Sequence, residues 1–372
     1  MDGPWQIGFK TPQEYARAVT EFGKVMKWVD PGIKLIANGV SYWDVGDFVE
    51  RGQLLLEQAG DLLDYLAIHW YVDNDTDDFS TYMALSELFE ERLSAYEGLI
   101  CAMTLERKIK RPIYIAVDEW NVWHRAQMDG GGHDTVVYTL EDALVVAMQL
   151  NAFLRHARTV KMANLAQIVN VLAPIVTRRE GLFLQTIFYA FEAYSTLAGP
   201  AVLDVHWDGE TFSAGDREGL RIRDVTATLD ASKRELVAFV VNRSEREADT
   251  VLKLAEGQFA GPVGGRVLLG PPGIIVGVQW VLSPDLHQRV PPEVAVPVLQ
   301  RVVAGGEEIL MAADAVSYTH LRAHETVLDL VCRLLLEKKK KRTKTKEERV
   351  SREKTNESKK GREAQVSVRQ EI

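Results

Sequence analysis

The stretch Pro112-Ile113-Tyr114-Ile115-Ala116-Val117-Asp118-Glu119-Trp120-Asn121-Val122-Trp123 carries most of what the sequence says about architecture. Its first six residues are an apolar run that begins with a proline, which predicts a buried strand over 112–117. The strand then delivers two adjacent carboxylates, Asp118 and Glu119. Parallel β/α barrels hold their chemical groups at the carboxyl ends of their strands, so the stretch predicts a site as well as a strand.

Helix and strand patterns alternate on both sides of this stretch, from residue 12 to about residue 198. Further strands are predicted at 33–39, 62–69 and 160–164, and helices at 14–28, 81–108 and 139–158. Alternating β/α units form parallel sheets that are covered by helices. Four strands are half of an eight-stranded barrel. We therefore predict that residues 1–198 are the last four strands of a (β/α)8 barrel.

The hydrophobic period changes to two beyond about Leu203. Strands are predicted around Leu229, at 236–242 and at 250–254, joined by short polar turns such as 230–233. This pattern is typical of a small antiparallel sandwich. The predicted fold class is thus α/β, with half of a barrel followed by a β-sandwich at 199–300. Seven of the 13 prolines fall at 261–297, and because proline interrupts strands, none is assigned after about residue 260.

Residues 301–372 form the third predicted region, a basic tail that is disordered or artefactual. From about Val316 the sequence resembles a translated sequencing adapter followed by a lysine run. A short helix near 328–341 is compatible with its residue types. The alternative is a genuine basic interaction segment.

Composition limits the classes of partner. The chain of 372 residues has a net charge of −9, but residues 317–372 hold 16 Lys/Arg against 9 Asp/Glu, so the acidic excess lies before them. An acidic body does not suit nucleic acid. No apolar stretch is long enough for a transmembrane helix. Cys101 and Cys332 are the two cysteines, which fits a reducing compartment and predicts a cytoplasmic protein.

The acidic pair suggests glycoside chemistry. A retaining glycosidase needs a carboxylate nucleophile, and Trp120 and Trp123 flank the pair with aromatic faces on which a sugar could stack. His69 and Tyr71 alternate on the predicted strand at 62–69 and its continuation, so both project to one side. His124 and His133 lack metal-ligand spacing, and two carboxylates suffice for such chemistry, so neither metal nor cofactor is expected.

Four segments in this order resemble family 51 glycoside hydrolases, the α-L-arabinofuranosidases. They are MDGPWQIG at 1–8, IHWY at 68–71, DEWNVW at 118–123 and KMANLAQIVNV at 161–171. The resemblance implies a retaining exo-enzyme that releases α-L-arabinofuranosyl residues from arabinoxylan or arabinan oligosaccharides. It also implies a homo-oligomer when the protein is full length.

The resemblance assigns a role to each candidate residue. Glu119 is the expected nucleophile, with Asp118 orienting the site. His69 and Tyr71 line the subsite of the cleaved sugar, where Tyr71 can hold the nucleophile. Gln167 is expected to hydrogen-bond the sugar hydroxyls, and Trp5 is expected at the leaving-group side. Asn121 is expected to support the site through hydrogen bonds.

In the family, the segment MDGPW follows an Asn-Glu pair whose glutamate is the general acid/base. We therefore expect the chain to begin one residue after that glutamate, with Met1 an internal methionine, and to be inactive as written. One rival interpretation is another retaining barrel glycosidase, such as a xylanase or β-xylosidase. The pair His69 and Tyr71 argues against it, and so does the run Asn164–Gln167. The other is a non-catalytic carbohydrate-binding protein or a basic-tail interaction protein.

Overall fold

A computed structural model describes residues 7–41, 43, 46–125, 136–246, 250–255, 267–269, 275–282 and 307–312. All of them belong to a compact unit that spans residues 1–321. Trp5, and the predicted tail apart from residues 307–312, lie outside the described residues. Within the described ranges, no helix combines the length and apolar character needed to cross a bilayer.

Four parallel strands form the first sheet, in the order β1-β2-β3-β4. They are β1 (Ile36–Val40), β2 (Tyr65–Val72), β3 (Tyr114–Val122) and β4 (Val160–Leu165). The helices are α1 (Pro12–Val29), α2 (Phe48–Ala59), α3 (Phe79–Glu106) and α4 (Leu140–Arg155). The predicted half-barrel order of strands and helices is confirmed, and α2 is a helix that the sequence pattern did not reveal.

Local sequence signals explain where two of these helices begin. Thr11 and Glu14 form a reciprocal capping box at the start of α1, with Pro12 in its first turn. Thr139 and Asp142 form the same box at the start of α4. Such boxes satisfy backbone N–H groups that have no partner inside the helix. Asp142 is buried, so the second box also fixes a carboxylate inside the protein.

The remaining elements build the sandwich and its link to the first sheet. The link comprises the hairpin β5 (Ile175–Arg178) and β6 (Gly181–Leu184), followed by α5 (Thr186–Leu197). A second hairpin pairs β8 (Thr211–Ala214) with β9 (Arg217–Arg221). A seven-stranded sheet contains β7 (Ala201–Asp208), β10 (Arg223–Asp230), β11 (Glu235–Asn242), β12 (Thr250–Leu254), β13 (Val267–Leu269), β14 (Ile275–Leu282) and β15 (Glu307–Ala312).

Strand β7 connects the two layers of the sandwich. Its residues 201–203 pair with β10, whereas its residues 204–208 pair with β15. Alternate residues of β10 and β11 share one apolar cluster with Leu203 of β7 and with Leu252 and Leu254 of β12. A strand that runs from one packed layer into the other is a common way to join two layers. This core accounts for the period of two in the sequence.

Two predictions need correction here. The prolines at 261–297 do not prevent strands, because β13 and β14 fit between Pro262 and Pro271 and between Pro272 and Pro284. The region predicted as a tail from residue 301 includes a strand, β15, paired with β12 and β7. Closely spaced prolines limit the length of a strand, but they do not exclude a short strand between two of them.

The outer face of β11 packs on the helices of the first sheet. The rings of Phe239 and Tyr194 stack with centroids 4.0 Å apart, and the Tyr194 hydroxyl donates to Asn151 Oδ1 at 2.7 Å. Asn151 Nδ2 in turn donates to Asp224 Oδ2 at 3.0 Å. The half-barrel and the sandwich are therefore joined by a buried interface that is both aromatic and polar.

An ionic cluster fastens α3 to the end of α4. His156 Nε2 lies 2.7 Å from Glu90 Oε2, and His156 Nδ1 lies 2.9 Å from Glu97 Oε1. Burial opposes the charged imidazole, but the hydrogen bonds that it donates to the two carboxylates, together with their charges, prevail and raise the pKa of His156 to about 9. His156 is therefore an imidazolium at neutral pH.

We predict that this cluster makes stability fall on the alkaline side. A histidine whose folded pKa is raised stabilises fully below about pH 6.5, its ordinary pKa, and this is lost as pH rises through about 9. The contribution of His156 is roughly 2–3 kcal/mol. Urea unfolding of the chain and of His156→Gln at pH 6.5 and 9.5 measures it. An equal decline in both proteins would contradict the assignment.

Candidate active site

The pairing of β2 with β3 places the acidic pair. Ile68 pairs with Val117 but His69 pairs with Glu119, so Asp118 is an extra residue in β3 at a register shift. The strand does not end at Val117, before the acidic pair, as the sequence predicted; it continues to Val122. The reason is that Trp120 and Val122 are buried and keep pairing with β2 beyond the shift.

Two tryptophans turn towards the helices and so determine which side chains face the other way. Trp70 stacks on Phe89 of α3 with centroids 5.0 Å apart. Trp120 meets Phe153 of α4 at 4.9 Å and Phe191 of α5 at 5.5 Å. Because strand side chains alternate, His69 and Tyr71 project from the opposite face of β2. The suggestion that Trp120 could stack on a sugar is wrong, since it is 1% exposed.

The structure brings four of the predicted site residues together. The Tyr71 hydroxyl donates to Glu119 Oε2 at 3.1 Å. His69 Nδ1 lies 3.4 Å from the same Glu119 oxygen, and His69 Nε2 lies 3.2 Å from Asp118 Oδ1. The Glu119 side chain remains 48% exposed. At the centre of the cluster, the Glu119 carboxylate is about half exposed, and its Oε2 is contacted by the Tyr71 phenol and the His69 imidazole.

Electrostatics keep the phenol in its donating form. Burial, together with the Glu119 carboxylate, raises the pKa of Tyr71 well above its usual range. The hydroxyl is therefore protonated at any ordinary pH and continues to donate to Glu119. Trp43 supports the strand behind it, since its indole Nε1 donates to the backbone oxygen of His69 at 2.8 Å. Nothing in the sequence pattern had indicated Trp43.

Trp123 forms an aromatic wall beside the carboxylate. Its ring meets Tyr71 edge to face with centroids 5.2 Å apart, and the Arg125 guanidinium lies over the ring at 5.3 Å from its centroid. Trp123 shares the side of β3 on which Glu119 lies and is only partly buried. The flanking tryptophan that can meet a ligand is therefore Trp123.

The other predicted residues lie around this centre. Asn121 is fully buried, and its Nδ2 donates to Ala166 O at 3.0 Å and to Leu172 O at 2.5 Å. Asn121 therefore ties β3 to the segment after β4. Gln167 belongs to that segment and is exposed, while Trp5 lies outside the described residues.

Sequence reasoning considered a second histidine near the site, His124, only as a metal ligand and did not predict its place there. His124 follows Trp123 and lies between the carboxylates of Asp73 and Asp142. Its neighbours are far apart in sequence, so no spacing rule points to it. Among the described residues no group of three or more His, Cys, Asp or Glu side chains is arranged to hold a metal ion.

The fold and the site define a class, that of β/α-barrel proteins with a C-terminal β-sandwich and an acidic site at the strand ends. The profile of the α-L-arabinofuranosidase C-terminal domain matches residues 118–369. The chain therefore belongs to the α-L-arabinofuranosidase family, that of family 51 glycoside hydrolases, which confirms the resemblance seen in the sequence.

Named relatives agree with this assignment. An intracellular exo-α-(1→5)-L-arabinofuranosidase from Halalkalibacterium halodurans is 35% identical over 258 residues, covering 67% of this chain and 52% of the relative. The enzyme of the same name from Acetivibrio thermocellus is 34% identical over 268 residues, covering 68% and 53%. The chain thus spans about half the length of the curated relatives that it matches.

Solved structures show the same fold. The family 51 α-L-arabinofuranosidase AbfB from Bifidobacterium longum superposes with a TM-score of 0.67 at 23% identity, covering 77% of this chain and 63% of that one. The Thermotoga maritima α-L-arabinofuranosidase, solved as an arabinose complex, gives a TM-score of 0.60 at 28% identity, covering 78% and 62%. The predicted fold class is confirmed.

We predict losses of unequal size for the two tryptophans that flank the acidic pair. Trp120→Ala leaves a cavity among Phe153 and Phe191, and we expect a loss of about 3–5 kcal/mol in the free energy of unfolding. Trp123→Ala removes a partly exposed ring and should cost clearly less. Urea unfolding monitored by circular dichroism measures both. Equal losses would mean that the two rings are buried alike.

Proposed function

We propose that this chain carries the nucleophile and glycone subsite of a retaining exo-α-L-arabinofuranosidase. One observation carries the proposal: Glu119 Oε2 accepts from the Tyr71 hydroxyl at 3.1 Å while His69 Nδ1 lies 3.4 Å away. The other oxygen, Oε1, is then the one available for attack. The family membership and the names of the relatives support this reading of the geometry.

The chemistry follows from a half-exposed carboxylate with one oxygen held. Glu119 Oε1 attacks the anomeric carbon, the glycosidic bond breaks, and an ester links the sugar to the enzyme. Water then hydrolyses the ester, so the configuration is retained after two inversions. In the family's pattern, the acid/base that protonates the leaving group is the glutamate that precedes the MDGPW motif, and Asp118 is not assigned that role.

The neighbours of Glu119 have distinct proposed roles. Tyr71 fixes the orientation of the carboxylate, and its OH also withdraws charge from the oxygen that does not attack. His69 bridges Glu119 and Asp118, so Asp118 orients the imidazole and thereby the nucleophile. These roles depend on atoms that already lie within about 3.4 Å of one another, so little reorganisation is needed before reaction.

Residues around the cluster would contact the sugar. Trp123 offers a partly exposed ring beside Glu119, which suits the apolar face of a furanose. Gln167 is exposed on the segment that Asn121 holds, where its amide can hydrogen-bond the ring hydroxyls. Trp5 is proposed at the leaving-group side from the resemblance alone.

The substrate we propose is an arabinose-containing oligosaccharide or polysaccharide side chain. Several relatives are named exo-α-(1→5)-L-arabinofuranosidases, and Glu119 with its neighbours matches the family pattern better than that of a xylanase or β-xylosidase. The same relatives are named intracellular, which supports a cytoplasmic location. We also propose a homo-oligomer for the full-length protein, and neither a nucleic-acid nor a membrane partner.

A covalent label tests the nucleophile in the chain as it stands. A 2-fluoro arabinofuranoside with a dinitrophenolate leaving group needs no acid to protonate the departing oxygen, because dinitrophenolate is a weak base. We expect an ester on Glu119, with one dinitrophenolate released for each label bound. Peptide mass spectrometry locates the ester, and Glu119→Gln should remove it.

Two controls sharpen this test. Asp118→Asn keeps the side-chain size but replaces the carboxylate that faces His69 Nε2 with a neutral amide, which weakens the orientation of His69, so we expect slower labelling, still on Glu119. The corresponding xylose-configured label should not react, because the subsite is proposed to fit a furanose. Labelling on Asp118, or equal reaction with the xylose reagent, would refute the assignment.

A further inference from the structure

His124 is held between two carboxylates just beyond the candidate site. Its Nδ1 lies 2.9 Å from Asp73 Oδ1 and its Nε2 lies 2.8 Å from Asp142 Oδ1. Asp73 follows β2 and Asp142 belongs to the first turn of α4. The three side chains are largely buried, with 13% of His124 and 1% of Asp142 exposed. The arrangement therefore joins the ends of two strands to a helix.

The geometry requires a charged ring. A neutral imidazole donates from one nitrogen only, so its second nitrogen would face a carboxylate without a proton. Both nitrogens of His124 lie within hydrogen-bond distance of a carboxylate oxygen, which makes it an imidazolium. Burial lowers the pKa of His124, but the hydrogen bonds and charges of Asp142 and Asp73 outweigh it and raise the pKa to about 9.

Other groups complete the surroundings of the imidazolium. The Tyr82 hydroxyl of α3 donates to Asp142 Oδ1 at 2.7 Å. The backbone N–H of Arg125 donates to Asp73 Oδ2 at 2.9 Å. Glu141 lies on α4 close enough for His124 to affect its titration, and the Tyr138 ring lies 6.2 Å from that of His124. The two carboxylates therefore have donors besides His124.

The cluster connects directly to the aromatic wall of the site. Trp123 precedes His124, and its backbone N–H donates to Val72 O at 2.7 Å. Tyr71, which holds Glu119, meets the Trp123 ring and lies two residues before Asp73. A change in the Asp73–His124 bond therefore acts on the last residues of both β2 and β3.

We propose that His124 is a positioning residue: bridging Asp73 and Asp142 as an imidazolium, it sets the place of Trp123 against Tyr71 and so shapes the wall of the sugar subsite. The consequence for sugar binding rests on the proposed function. The positioning of Trp123 does not, and it can be measured without a ligand.

Fluorine NMR of the chain labelled with 5-fluorotryptophan provides that measurement. Trp123→Phe identifies the Trp123 signal among the eight tryptophans. We expect this signal to shift between pH 7.5 and 10.5 with a midpoint near 9, the pKa of His124, and to be flat in His124→Gln. Tyr71, in contact with Trp123, does not interfere because its pKa is raised well above its usual range.

His156→Gln is the matched control. His156 also bridges two carboxylates with a pKa of about 9, but it joins α3 to the end of α4. The Trp123 shift should persist in this variant. A flat signal in the unmodified chain, or loss of the shift in His156→Gln but not in His124→Gln, would overturn the proposal. If His124→Gln does not fold, the unmodified chain and His156→Gln still decide.

The covalent label separates this proposal from the proposed function. We expect His124→Gln to need about tenfold more arabinofuranoside label for half-maximal reaction, a binding loss of about 1.4 kcal/mol, with the maximal labelling rate nearly unchanged. His156→Gln should behave like the unmodified chain. If no protein is labelled, the proposed function fails while the fluorine signal still tests the positioning. Unchanged label dependence in His124→Gln would overturn the role at the subsite.

Discussion

The site depends on the packing of two tryptophans against the helices behind the parallel sheet. Trp70 and Trp120 are held by aromatic side chains of α3, α4 and α5. Their burial fixes which face of β2 and β3 packs against the helices, because strand side chains alternate. His69, Tyr71 and Glu119 are then presented together on the other face. Shifting either strand by one residue would turn the site side chains towards the helices and expose an indole. The lost packing of that indole makes such a shift unfavourable.

The single register shift between β2 and β3 brings both Asp118 and Glu119 close to His69, which the alternation of strand side chains alone would not do. In a regular strand, Asp118 and Glu119 would point to opposite faces. The extra residue at this point lets His69 approach both carboxylates, at 3.2 and 3.4 Å. Bulges often re-aim side chains next to active sites. Here the shift converts an acidic pair in sequence into an acidic pair that one imidazole bridges in space.

The sequence revealed the architecture better than the details of the site. Apolar periodicity predicted four strands, three of the helices and the change to a sandwich, because burial acts over whole elements. It did not separate Trp120, which is packed against Phe153, from Trp123, which lies beside Tyr71, since that choice depends on partners distant in sequence. Nor did it indicate α2 or β14, or the end of β3, where the buried Val122 extends the strand past the acidic pair.

Two histidines between paired carboxylates show why residue type alone does not assign function. His156 is bridged by Glu90 and Glu97, and His124 by Asp73 and Asp142, with the same charge state and nearly equal bond lengths. Both fix a helix to its neighbours. They differ in what they adjoin: His156 caps α4 on the helical layer, whereas His124 follows the ring that contacts Tyr71. Identical local electrostatics therefore stabilise the scaffold in one place and define the edge of the site in the other.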